Sequence, residues 1–134
     1  MAVFTWEHIH LRSPDPAATA AWYERMLGAE VLRSTQADGT TRIDLALGGA
    51  TPGGGQKVFI APANPSLQTA TPPNAPYFGL EHIGLTVTDI DAATAELKGK
   101  GVSFTMDPTT VRAGVRIAFL RGPENVSIEL IQRG

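Results

Sequence analysis

The sequence predicts an α+β fold in which two βαβββ modules in tandem form a cupped, partly closed mixed sheet around a cavity. Three observations predict it. The pentapeptide EHIHL at residues 7–11 returns as EHIGL at residues 81–85. An Ala-rich helical stretch follows each copy, and three strand-like runs follow each helical stretch. The single domain of residues 1–134 divides into three predicted parts: a first module at 1–62, a Pro-rich connector at 63–79 and a second module at 80–134.

Both Ala-rich stretches carry signals for the start and end of a helix. Asp15 with Pro16 after it, and Asp89 in the second copy, favour helix starts. Gly28 and Gly101 suit the helix ends, where a positive φ is common. Each helix can cover only one face of its sheet. Two modules that meet on their open faces would therefore enclose the cavity.

The strand-like runs are separated by turn residues such as Asp38-Gly39 and the sequence GPEN. In the first module the predicted strands after the helix are residues 29–34, 41–47 and 56–61. In the second module they are the runs GVSFTM, GVRIAFLR and NVSIELIQ.

The composition argues against several classes of protein. A chain with 43% hydrophobic residues can bury a core, and a net charge of −2 without a basic run argues against nucleic-acid binding. Cysteine is absent, which excludes disulfides and thiolate metal ligands and fits a reducing compartment. No apolar run approaches the roughly 20 residues that cross a bilayer. We therefore expect a soluble, cytoplasmic protein that binds neither nucleic acid nor membrane.

The three histidines of the chain all lie in the repeated pentapeptide. Side chains alternate across a strand, so Ile9 and Leu11 share one face of the first strand. His8, His10 and Arg12 share the other. The apolar row suits packing beneath the helix, and the polar row is expected to face the cavity.

His82 occupies the repeat position of His8, and Glu129 lies on the inward face of the last predicted strand. A charge there is costly unless it is paired or bound to a metal. Two imidazoles and one carboxylate match a 2-His-1-carboxylate metal site, which leaves positions open for water, substrate or oxygen. The plainer interpretation is that the histidines are hydrogen-bonded or at the surface and that Glu129 is solvated. The equivalent repeat positions favour the metal site.

Three segments carry a resemblance to a known family: residues 8–32, 81–102 and 122–131. They resemble the vicinal oxygen chelate superfamily, which includes glyoxalase I, methylmalonyl-CoA epimerase, extradiol dioxygenases and the bleomycin- and fosfomycin-resistance proteins. The resemblance implies a homodimer and one divalent metal ion (Fe, Mn, Ni, Zn or Co). It also implies a small substrate chelated through adjacent oxygens. The residues that match the family's metal ligands are His8, His82 and Glu129.

The chain departs from the family at Phe59, where four-ligand members carry a carboxylate or glutamine. The carboxylate base of those members is then missing. His10 is predicted to replace it as catalytic base or to support a ligand, and the alternative is that His10 lines the cavity or binds Asp44. Arg12 is predicted to hold an anionic end of the substrate, and the alternative is a solvated arginine. Phe59 is predicted to form part of the substrate-binding wall.

Two types of reaction fit this site: a proton-transfer lyase or isomerase, and oxygen insertion. Phe59 argues against a standard glyoxalase I, and the length of the chain argues mildly against a standard extradiol enzyme. One alternative function is a metal-free protein of the bleomycin-resistance type that sequesters a small molecule such as a drug. Another is a structural or regulatory dimer with a relic site.

Overall fold

The structure is a computed structural model that describes residues 2–51 and 54–134. Two compact units make up the chain, the first ending at Thr69 and the second beginning at Ala70. The elements of the first unit are β1 (Ile9–Ser13), α1 (Pro16–Leu27), β2 (Glu30–Thr35), β3 (Thr41–Gly48) and β4 (Gly55–Pro62). Those of the second are β5 (His82–Thr86), α2 (Ile90–Gly99), β6 (Phe104–Arg112), β7 (Val115–Arg121), a short 3-10 helix (Pro123–Asn125) and β8 (Ser127–Arg133).

Each unit contains one four-stranded mixed sheet. The strand orders are β1-β4-β3-β2 in the first unit and β5-β8-β7-β6 in the second. The first and last strands of each unit pair in parallel, and the other neighbours are antiparallel. The predicted α+β fold with two βαβββ modules is therefore confirmed.

Among the differences between predicted and observed strand boundaries, two concern the site residue His8 and the edge strand β6. The strand β1 begins at Ile9, so His8 lies just before it. The strand predicted to end at Met106 continues as β6 to Arg112, although it contains Pro108. Proline is tolerated there because β6 lies at the edge of its sheet, and the pairing with β7 shifts in register between Met106 and Thr109.

Both helices cover the apolar face of their own sheet. Helix α1 contacts all four strands of the first unit, and α2 contacts β6, β7 and β8. Val58 and Leu45 pair across β4 and β3 and are almost fully buried. Ile128 and Leu120 pair in the same way across β8 and β7 and are fully buried. The polar row of each sheet faces away from this core.

The helix ends follow the sequence signals. The Asp15 carboxylate accepts a hydrogen bond from the Ala18 N–H at 3.1 Å, and Asp89 accepts one from the Ala92 N–H at 3.0 Å. Gly28 ends α1 with a φ of 68°, a conformation that favours glycine. No helix among the described residues is long and apolar enough to cross a membrane.

The largest fully buried side chain of the first unit is Tyr23 on α1. Its hydroxyl has no hydrogen-bond partner among the described residues, and burial raises the pKa of its phenol above the ordinary value. A buried hydroxyl without a partner has lost its hydration without replacement. Tyr23 therefore contributes to the core through its ring, while its hydroxyl destabilises the fold.

We expect Tyr23→Phe to raise the free energy of unfolding by about 1 kcal/mol, because the unpaired hydroxyl is removed and the ring stays. Tyr77→Phe is the matched control. The Tyr77 hydroxyl donates to the Glu81 carbonyl at 2.8 Å, so this variant should lose stability. Urea denaturation measures both. A fall in stability for Tyr23→Phe as large as that for Tyr77→Phe would contradict the prediction.

Candidate functional site

The second unit brings together two of the predicted metal ligands. His82 begins β5, and Glu129 lies in the middle of β8. The His82 Nε2 and the Glu129 Oε2 are 3.0 Å apart. The Glu129 side chain is only 18% exposed. Gly84 lies opposite it on β5 and has no side chain, so the space beside the carboxylate is not filled from that strand; a Cβ at this position would lie 3.9 Å from Oε2. The Phe119 ring packs edge-on against His82 at 5.1 Å.

A second carboxylate contacts the other side of the same imidazole. The Glu81 Oε1 lies 3.0 Å from the His82 Nδ1. A neutral imidazole carries one N–H and can donate to only one of the two carboxylates. If Nδ1 donates to Glu81, a cation between Nε2 and the Glu129 Oε2 would satisfy the other pair. Metal-binding histidines are commonly held through such a carboxylate on the second nitrogen.

The spacing of this pair fits two ligands of one metal ion. Metal–nitrogen and metal–oxygen bonds of about 2.1 Å place two ligand atoms roughly 3 to 3.4 Å apart. The Nε2–Oε2 distance of 3.0 Å lies at the short end of that range and is also that of an ordinary hydrogen bond. Among the described residues, neither unit by itself contains a group of three or more His, Asp or Glu side chains arranged to hold a metal. Within the second unit, His82 and Glu129 are therefore a close imidazole–carboxylate pair without a third acidic or imidazole group arranged to complete a metal site.

His8 lies in the first unit, where its ring contacts Phe59. Its ring stacks on the Phe59 ring with centroids 4.0 Å apart. The Glu7 Oε1 lies 3.7 Å from the His8 Nδ1, which is too long for a hydrogen bond. The Glu-His pair of the repeat is thus present in both units, but only His82 is held by its glutamate. His10 is exposed, with its ring 6.1 Å from His8 and 6.4 Å from Phe59.

The pairing of the strands shows that Phe59 and Glu129 occupy equivalent positions in the two sheets. Phe59 pairs with His10 in parallel, as Glu129 pairs with Gly84, so the two occupy equivalent positions. The neighbour of Phe59 on β3 is Asp44. In the second unit the neighbour of Glu129 on β7 is Phe119. Each unit therefore pairs one acid with one phenylalanine on its open face. The phenylalanine stands on the last strand in the first unit, and the acid stands on the last strand in the second.

Asp44 and Arg42 are functional candidates that the sequence did not single out as site residues. The Asp44 Oδ2 accepts a hydrogen bond from the Arg42 Nε at 2.7 Å. The Asp44 Oδ1 is buried without a hydrogen-bond partner among the described residues, so the hydrogen bond to His10 considered from the sequence is not formed. The Arg42 guanidinium carbon lies 4.1 Å from the centroid of Phe59. The alternating run TRIDLAL predicts the shared face of Arg42 and Asp44 but not their contacts.

These residues line a cavity of about 820 Å³ in the first unit. Three residues predicted from the sequence border it: His8, His10 and Phe59. Arg12 is not among its lining residues, and its Nη1 donates to the Pro62 carbonyl at 2.7 Å. Arg12 is thus partly engaged by backbone, while Arg42 faces the cavity.

Comparison with known proteins agrees with this architecture. The model of the Glyoxalase/Bleomycin resistance protein/Dioxygenase superfamily matches residues 5–130. The chain belongs to this superfamily. It is 30% identical over 128 residues to the uncharacterized protein YwkD of Bacillus subtilis (strain 168), with 94% of each chain covered. It is 31% identical over 133 residues to the uncharacterized protein YaeR of Escherichia coli (strain K12), again with 94% of each covered.

Solved structures share the fold at lower identity. One is TnmS3, an antibiotic binding protein from Streptomyces sp. CB03234, with a TM-score of 0.71 and 21% identity. The match covers 100% of this chain and 99% of TnmS3. The superfamily resemblance drawn from the sequence is confirmed by the family model that matches residues 5–130.

We expect Glu81→Gln to weaken Zn²⁺ binding about 10- to 100-fold, because the carboxylate that orients His82 is lost. Competition with a chromogenic chelator measures the affinity. Glu96→Gln is the matched control, since it removes the same charge from the exposed surface of α2. Equal affinity in the Glu81 variant and the unmodified protein would contradict the proposed orientation of His82.

Proposed function

We propose that the protein is a divalent-metal enzyme of the glyoxalase/dioxygenase type that binds a small substrate through adjacent oxygens. The proposed metal ligands are His8, His82 and Glu129. The observation that carries the proposal is the imidazole of His82 between two carboxylates, with its Nε2 3.0 Å from the Glu129 Oε2. His8 is included as a ligand because it occupies the position equivalent to His82 in the repeated pentapeptide. A bound divalent ion would supply Lewis acidity to charge that develops on adjacent oxygens of the substrate.

Because Phe59 stands where a carboxylate base would be, proton transfer needs another residue, and His10 is the candidate. Phe59 occupies the position equivalent to Glu129, so the first unit lacks a carboxylate there. His10 lies opposite Phe59 and is exposed at the cavity, with a ring nitrogen able to accept a proton. We assign His10 as the catalytic base of the proton-transfer branch, and Phe59 as apolar wall for the substrate. Arg12 is a weaker candidate for the substrate's anionic end, because Pro62 engages it.

Two reaction types remain within this proposal, and the metal distinguishes them. Iron with uptake of oxygen on turnover supports oxygen insertion. Nickel, zinc, cobalt or manganese without oxygen uptake supports a lyase or isomerase. A homodimer and a cytoplasmic location also belong to the proposal, the second supported by a chain without cysteine.

A second candidate function is metal-free sequestration of a small molecule. The exposed His8 ring, stacked on Phe59 at the cavity, favours it, because a flat aromatic surface there suits an aromatic ligand. TnmS3, which shares the fold, is an antibiotic binding protein. A relic site in a structural or regulatory dimer is disfavoured by the close approach of His82 and Glu129, which packing alone does not require.

We expect elemental analysis of the purified protein to find about one divalent metal ion per chain. His82→Ala should remove most of it, because Nε2 is one of its ligands. His10→Gln is the matched control and should keep the metal. Protein that binds no metal under any loading condition would reject the metalloenzyme and favour sequestration.

The role of His10 is tested separately by deuterium exchange. The probe is 2-hydroxy-1-phenylethanone, which has a carbonyl and a hydroxyl oxygen on adjacent carbons. We expect the metal-loaded protein in D₂O to exchange the two protons of its CH₂ group. His10→Gln should slow this exchange by about 10²- to 10⁴-fold without loss of metal. NMR measures the exchange. Loss of metal from His10→Gln would instead make His10 a ligand, and unchanged exchange would exclude it as the base.

A further inference from the structure

The first unit holds one arginine of its cavity in a fixed orientation. The Arg42 Nε donates to the Asp44 Oδ2 at 2.7 Å, and the guanidinium lies over the Phe59 ring at 4.1 Å. Asp44 is only 17% exposed, so its carboxylate is mostly shielded from solvent. One edge of the guanidinium is therefore bonded and one face is stacked. Both contacts restrict the rotation of a side chain that is otherwise flexible.

These contacts leave the outer edge of Arg42 for a ligand. Arginine has five N–H donors, and the bond to Asp44 uses only the one on Nε. The two Nη groups make no hydrogen bond to the described residues, and the side chain is 37% exposed where it lines the cavity. Two parallel N–H groups in one plane match the two oxygens of a carboxylate. The orientation is set before a ligand arrives, so less entropy is lost on binding.

Each of the three acidic residues that line the cavity accepts a hydrogen bond, although the Asp44 Oδ1 has no partner among the described residues. Asp15 accepts the Ala18 N–H at the start of α1. Asp38 accepts both the N–H and the hydroxyl of Thr40, and these hydrogen bonds lower the pKa of its carboxyl. Asp44 is paired with Arg42 itself. Among the described residues that line the cavity, Arg42 is the only lysine or arginine, so its Nη edge is the positively charged donor surface that an anion would meet.

The remaining walls suit an apolar body. Phe59, Ala61 and Pro62 line the cavity together with Ile43 and Ile60. Its volume of about 820 Å³ lies in the range of cavities that hold small organic ligands, roughly 300 to 1,000 Å³. The apolar part of the wall together with one oriented cation suits a molecule that has an acid group on an aromatic or aliphatic body.

We propose that Arg42 is a substrate-binding residue that takes the carboxylate of a small organic acid, and that Asp44 and Phe59 position it. The inference rests on the proposed function only in treating that acid as the substrate. It assigns to β3 the anion recognition that the sequence predicted for Arg12. Asp44 acts through Arg42 and is a positioning residue.

The test is calorimetric titration with benzoate, and with benzamide as the uncharged probe of the same shape. We expect benzoate to bind more tightly than benzamide. Arg42→Met should weaken benzoate binding about 10- to 100-fold, as expected for the loss of charge-assisted hydrogen bonds, and leave benzamide unchanged. Arg42→Lys keeps the charge but not the planar fork, so it should also lose affinity, to a smaller extent.

Arg33→Met is the matched control. Arg33 lies on β2 of the same unit, exposed and outside the cavity lining, so the variant removes the same charge and should bind benzoate normally. Thermal melting shows whether each variant is folded, and if Arg42→Met is not, Arg42→Lys decides the outcome. Equal binding of benzoate and benzamide, or an equal loss in the Arg33 variant, would overturn the proposal.

The titrations are run on the protein as purified and again after EDTA treatment. Arg42 should keep its effect in both preparations, because its contacts involve no proposed metal ligand. Failure of the metal site would appear in the elemental analysis and leave the benzoate titration intact. Failure of the Arg42 site would appear only in the titration.

Discussion

Both units depend on the parallel pairing of their first and last strands. Each helix returns the chain across one face of the sheet, so the strand before the helix can lie beside the strand that ends the module. This pairing fixes which side chains stand opposite each other. It places His10 against Phe59 and Gly84 against Glu129. The chemistry of each open face follows from these two pairs.

The same frame therefore carries different side chains in its two copies. In the second unit an acid stands on the last strand and a phenylalanine on the strand beside it, and in the first unit the two are exchanged. The acid of the second unit meets an imidazole, and the acid of the first meets a guanidinium. The two open faces therefore carry an imidazole–carboxylate pair in one unit and a guanidinium–carboxylate pair in the other.

Much of the fold could be predicted from the sequence because its signals are local. The repeated pentapeptide, the caps at Asp15 and Asp89 and the alternation of apolar residues each act over a few positions. The extension of β6 through Pro108 could not be predicted, because tolerance of proline depends on the edge position of the strand. Arg42 also could not be predicted as a site residue, because its orientation depends on contact with Phe59, which lies on a different strand.

The Pro-rich connector contains no helix or strand, and its part within the second unit is hydrogen-bonded to later residues of that unit. The Tyr77 hydroxyl donates to the carbonyl of Glu81, and the Asn125 amide donates to the carbonyl of Pro72 at 2.9 Å. Glu81 is also the residue whose side chain holds His82. Tyr77 and His82 are therefore joined through one residue, Glu81, whose carbonyl accepts from the first and whose carboxylate contacts the second.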